Sequence, residues 1–217
     1  MIRHVIPFFT RAVAAIGATV VLLASVADAQ PQPSPQVGDV VAGPSAAGTK
    51  FRLIIEKGSV AFTVPANWRV LGMQARPPVS AAVFQAPNPA DTGTPDSTNV
   101  LVSVLHLDAD KARAARMNVG KALGPTPPVT SQYHGWTVYA QQGSQSATTY
   151  TVLDSVRDVP DLDIAVAVRV AWPHLSGNAR GYDADMTAVF HRLLDSVSIA
   201  PGPYAPAPGE VVRRPTG

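Results

Sequence analysis

The alternation of apolar and polar residues divides much of this chain into strands. Phe51-Arg-Leu-Ile-Ile-Glu56 reads as a strand, Lys57-Gly58 as a turn, and Ser59 to Val64 as the returning arm of a hairpin. Pro65-Ala-Asn67 interrupts the ladder, because proline has no N–H to give it. Trp68 to Met73 and Val79 to Phe84 follow as further strands. Ala86 to Ser97, with three prolines, two Asp and a Gly, predicts a long exposed loop. Asn99 to Leu107 is apolar on both alternating faces, which predicts a central strand covered on two sides.

A helical period appears twice. Asp108 is placed to cap a helix running to about Leu123, which Gly124-Pro-Thr-Pro-Pro128 stops. Asp183 is placed to cap another, in which Met186, Val189, Phe190, Leu193 and Leu194 form one apolar stripe at i, i+3, i+4, i+7 and i+8. Between the helices, Trp136–Gln142, Ala147–Val156 and Asp163–Trp172 read as an antiparallel meander, with Gly143-Ser and Asp158-Val-Pro-Asp161 at its turns. Ser196 to Ile199 closes the pattern as a short strand. Hairpin-like connections between most strands predict the α+β class: a mainly antiparallel sheet flanked by two helices.

The ends have a different character. Arg3, His4 and Arg11 precede an uncharged run from Ala12 to Ala24, and Ala27-Asp-Ala29 offers the small-x-small pattern of a cleavage site. That order predicts a secretory signal peptide over residues 1–29 and a mature chain starting at Gln30, periplasmic or secreted. Residues 30–48 are rich in Pro, Gly and Ser and predict a linker, and residues 201–217 a Pro-rich disordered tail. A single domain is expected over 49–200. No stretch after the signal is apolar enough to span a membrane.

The chain has no cysteine, which excludes disulfides and thiolate metal sites. Its 17 Lys and Arg nearly balance 15 Asp and Glu, so no nucleic-acid footprint is expected.

Phe62-Thr-Val-Pro-Ala-Asn-Trp68, the run from Trp136 to Trp172 and the closing Phe190-His-Arg-Leu-Leu-Asp-Ser196 together resemble a known family. They are similar to the α/β/α sandwich shared by the photosystem II extrinsic protein PsbP and the Ran-release factor, a fold also found in bacterial exported proteins of unknown function. The resemblance implies core positions for Trp68 and Phe190 and a non-catalytic binding or accessory role. The sequence departs from the family at Asn67, where glycine is common, and in lacking the lipid-bearing cysteine of many exported members.

Few residues suggest chemistry. Asp91-Thr-Gly matches the aspartic-protease triplet, but no strand leads into it and no second copy exists, so a surface turn is the better reading. His106-Leu-Asp108-Ala-Asp110 could share one face around a metal, and the cap role of Asp108 competes with that. Asp158-Val-Pro-Asp161-Leu-Asp163 gathers carboxylates without the spacing or glycine of an EF-hand loop. Asp183 and Asp185 fit the positive end of a helix dipole.

No histidine has zinc spacing, no serine sits in Gly-x-Ser-x-Gly, and no phosphate loop occurs. What remains is Tyr133-His-Gly-Trp136-Thr-Val-Tyr139, where one strand face is core and the other free to meet a partner. Tyr133, His134 and Tyr139 are therefore the candidate recognition surface, and no catalytic residue, cofactor or metal is expected. The leading expectation is an exported, non-enzymatic binding or accessory protein for an unknown envelope protein or small ligand. The alternative is a hydrolase drawing its acid and base from His106, His134 or the Asp158–Asp163 turn.

Overall fold

A computed structural model describes residues 34–86, 98–145, 148–173 and 179–214. The expected signal peptide and the Asp91-Thr-Gly turn lie outside the described residues.

The first half of the chain supplies β1 (Val40–Ser45), β2 (Gly48–Ile55), β3 (Gly58–Val64), β4 (Arg69–Gln74), β5 (Val79–Ala86), β6 (Thr98–His106) and α1 (Asp110–Asn118). The second half supplies β7 (Val129–Tyr133), β8 (Trp136–Gln145), β9 (Thr148–Val159), β10 (Ile164–Pro173), α2 (Ala179–Ser196), β11 (Ser198–Pro201) and β12 (Val211–Arg213). Every pairing is antiparallel. The α+β class is as expected; the strands, however, form two sheets. One has the order β11-β3-β2-β1-β12 and the other β4-β5-β6-β10-β9-β8-β7.

The inner faces of the two sheets meet in one core, because each strand sends alternate residues to the same side. Phe51 and Phe62 of the first sheet meet Phe84 of the second with ring centroids 5.3 and 5.8 Å away. The predicted stripe of α2 joins this core through Met186, Phe190, Leu193 and Leu194. Phe190 is fully buried, while Trp68 packs at the margin and is only partly covered. β6 lies between β5 and β10 and buries both faces, as its double apolar pattern requires.

Both ends correct the sequence reading. The expected linker contains β1, in which Val40 and Val41 are each 1% exposed. The expected disordered tail crosses the back of the same sheet and ends in β12, paired with β1 from Val40↔Arg213 to Ala42↔Val211. Along the way the Tyr204 ring lies 3.9 Å from the guanidinium of buried Arg52. Tail and strand approach so closely that a Cβ on Gly43 would stand 2.7 Å from the Glu210 side chain. Neither segment has much apolar periodicity of its own; β1 is a strand because β2 pairs with its whole length, and β12 because β1 offers it the remaining edge.

Neither proposed cap is one. α1 starts after Ala109 without a side-chain cap, and Asp108 instead accepts from Arg113 Nη1 through its carbonyl. α1 is also shorter than predicted. Gly120 follows it at φ +75°, with the Tyr139 ring where its Cβ would be. α2 begins at Ala179, so Asp183 lies inside the helix, where its carboxylate accepts from the Trp172 indole at 2.6 Å. A buried indole N–H needs an acceptor, and that need outweighs the local capping preference.

Candidate functional site

The outer face of the seven-stranded sheet is only partly covered. α1 crosses one end of it, setting fully buried Ala112 against Leu105, Val156 and Ala165. With only nine residues, the helix ends before it reaches the rest of the face. Beyond it lies a groove of about 340 Å³ between the sheet and the helix end. Val79, Leu101, Leu105 and Ala167 contribute apolar floor, and Ala115, Asn118 and Val119 form the helical wall.

Two charged residues interrupt this apolar surface. Asp154 of β9 and Arg169 of β10 are directly opposed in register. Nε and Nη2 of Arg169 donate to the two carboxylate oxygens of Asp154 at 2.6 and 2.9 Å. The pair is unequally covered: the Asp154 side chain is 4% exposed and that of Arg169 42%. The carboxylate is thus part of the wall and the guanidinium faces the opening. The bond to Asp154 raises the already high pKa of Arg169 against the opposing effect of burial.

The wall is tied down by a second ion pair. Arg116 of α1 donates to both oxygens of Asp158 on β9 at 2.7 Å, which lowers the pKa of that carboxylate. The segment after the helix is held in turn by Gln141 of β8. Its side chain accepts from the Leu123 N–H and donates to the Lys121 carbonyl.

The residues singled out from sequence fall elsewhere. Tyr133 and His134 are brought together at the β7–β8 turn, where the Tyr133 ring is sandwiched between His134 and His191 at 4.2 and 4.1 Å. Asp195 accepts from the Tyr133 hydroxyl and bonds His134 Nδ1, both at 2.8 Å. These bonds lower the Asp195 pKa, that to His134 more than that to Tyr133. This cluster latches the hairpin to the end of α2. Tyr139 belongs to the opposite sheet face, where it packs with α1.

His106 is buried, with Nε2 3.3 Å from the hydroxyl of fully buried Ser80. The recess beside it, lined also by Glu56, Lys57, Asp108 and Asp163, measures about 30 Å³. That holds roughly one water and no substrate. Of the acidic turn, Asp163 pairs with Lys57 and Asp158 with Arg116. Among the described residues no three His, Asp or Glu are placed to hold a metal ion.

Burial pushes the His106 pKa down, with Asp108 and Glu56 acting weakly the other way. The unfolded chain therefore takes up this proton at higher pH than the folded one. Stability should fall as the pH drops from about 7.5 to about 5.5 and be flat above. Denaturation midpoints over that range should show the slope, and His106→Gln should flatten it. An equal slope in both proteins would mean that His106 is not its source.

No protein-family model matches the sequence, and no curated protein matches it. Two solved structures are similar to it. One is LpqN, described as involved in cell envelope biogenesis of Mycobacterium tuberculosis. It has a TM-score of 0.40 and 18% identity, covering 67% of this chain and 87% of LpqN. The other is a protein of Bacteroides thetaiotaomicron with a TM-score of 0.40 and 14% identity, covering 71% of this chain and 49% of that one. The chain thus spans about half the length of the Bacteroides protein. Likeness of this degree says nothing about function, and it does not confirm the PsbP-like resemblance. Among the described residues no helix is long and apolar enough to cross a membrane.

Proposed function

We propose that this is an exported, non-enzymatic binding protein that holds the apolar body of a small ligand in the groove beside α1. The observation that carries the reading is the groove itself. Its 340 Å³ falls within the range of small-molecule sites, and its largely apolar lining carries one charged pair, Asp154 and Arg169, with Ser103 and Asn118 as further polar side chains. A domain able to cover this face with a longer helix leaves it open. The non-enzymatic part is supported by the place of His106, beside a recess of about 30 Å³ that is too small for a substrate, and by the pairing of Asp158 with Arg116 and of Asp163 with Lys57. Export, to the periplasm or beyond, is supported by the charged, apolar and small-residue order of the first 29 residues.

The reading is tested by filling the groove. Ala167 lies on the central strand β10 with its side chain on the groove floor. Ala167→Phe should weaken binding of an apolar fluorescent dye at least about tenfold, since the ring takes the volume the dye needs, while the melting temperature stays near that of the parent. Unchanged dye binding by the folded variant would remove the groove as the site.

A further inference from the structure

We infer that the ligand's polar end is an uncharged acyl carbonyl, that of an ester or an amide, held by Arg169. This rests on the groove being a ligand site and names what the site selects. Arginine has five N–H donors, of which Asp154 takes two, one on Nε and one on Nη2. Among the described residues the other three meet no acceptor, and they belong to a side chain 42% exposed at the groove. The site therefore offers hydrogen-bond donors and calls for an acceptor.

Charge complementarity decides which acceptor. Asp154 neutralises Arg169 at bonding distance, so the pair presents donors without net charge. A ligand carboxylate attracted to the guanidinium would also meet Asp154, fixed in the wall behind it. It would further face the end of α1 at Asn118, the negative pole of the helix dipole. An ammonium head would meet Arg169, the exposed member of the pair, before it met Asp154. A carbonyl oxygen takes the free N–H groups and carries no charge for either partner to oppose. The apolar floor then receives the chain, and at about 30 Å³ for each water-sized group the groove has room for roughly eleven non-hydrogen atoms. An acyl chain of about eight carbons fits that space.

The test is competition for the dye-loaded groove of the full chain by four octyl compounds: methyl octanoate, octanoate, octylammonium and n-octane. Methyl octanoate should compete at least about tenfold better than each of the others. In Arg169→Met/Asp154→Leu its advantage over n-octane should disappear, with circular dichroism showing that the variant is folded. Equal competition by all four compounds, or preference for octanoate or octylammonium, would overturn the carbonyl assignment and leave the groove reading intact. Survival of the ester's advantage in the double variant would also overturn it. Failure of dye and of all four compounds to bind the parent would instead sink the groove reading.

Discussion

A chain ending at Pro201 should be less stable than the full chain by about 2–4 kcal/mol. The loss comes from four places. β12 no longer pairs with β1, which becomes an open edge. The Gly202 N–H no longer reaches the Lys57 carbonyl at 2.9 Å. Arg214 no longer stands 3.7 Å from Asp39, whose side chain is only 6% exposed. Tyr204 no longer lies over Arg52, a contact of the cation–π kind that contributes about 0.5–2 kcal/mol.

One term runs the other way. Arg52 is 9% exposed, its Nε meets no acceptor among the described residues, and one of its terminal N–H groups donates to the Ser59 hydroxyl at 2.9 Å. Removing the tail lets this guanidinium hydrate, which keeps the estimate to a few kcal/mol rather than the sum of the lost contacts. Urea denaturation of the full chain and the truncated one measures the difference. A change within about 0.5 kcal/mol, the usual span for an uninvolved surface segment, would mean that the tail contributes nothing to the fold.

The tail also shows where the sequence ceased to be legible. β2, β3, β5, β6 and α2 were readable because their burial is written locally, as alternation or as a stripe at helical spacing. β1 and β12 are short and contain Gly and Pro or exposed residues; β1 is a strand through its pairing with β2, and β12 through an edge of β1 that lies most of the chain away. β7 was missed for a related reason: Val129-Thr-Ser-Gln-Tyr133 is an edge strand whose residues are mostly exposed, so no apolar pattern marks it. The cap failed at Asp183 because a distant demand, the Trp172 indole, outweighed a local preference, and at Asp108 because the helix starts one residue later, after Ala109.

Of the groove, the sequence showed almost nothing, since five separate elements build it. One signal was nevertheless present. Arg169 is the single charge in the apolar run Ile164-Ala-Val-Ala-Val-Arg-Val-Ala-Trp172. Folding the chain back at the Asp158–Asp163 turn in hairpin register places Asp154 opposite it. A lone charge in a covered strand calls for a partner at its cross-strand position.

That partnership sets the last expectation. Arg169→Met should cost about 2–3 kcal/mol, and Asp154→Leu about 1 kcal/mol. The difference follows from which charge each change leaves behind. Without Arg169, the Asp154 carboxylate remains 4% exposed in an apolar wall with its two bonds unmade. Breaking a fully buried pair in this way costs about 3–5 kcal/mol, and the 42% exposure of the arginine side chain places this case below that range.

Without Asp154, the guanidinium already faces the opening and recovers most of its hydration. The double change Arg169→Met/Asp154→Leu should restore most of the stability lost by Arg169→Met, because it removes the stranded charge and fills its place with apolar groups. Denaturation of the three variants closes the cycle. Equal costs for the two single changes would show that the unequal burial of the pair does not govern its energetics. With it would go the reason for a guanidinium turned toward the groove, and the ordering of polar ends that depends on it.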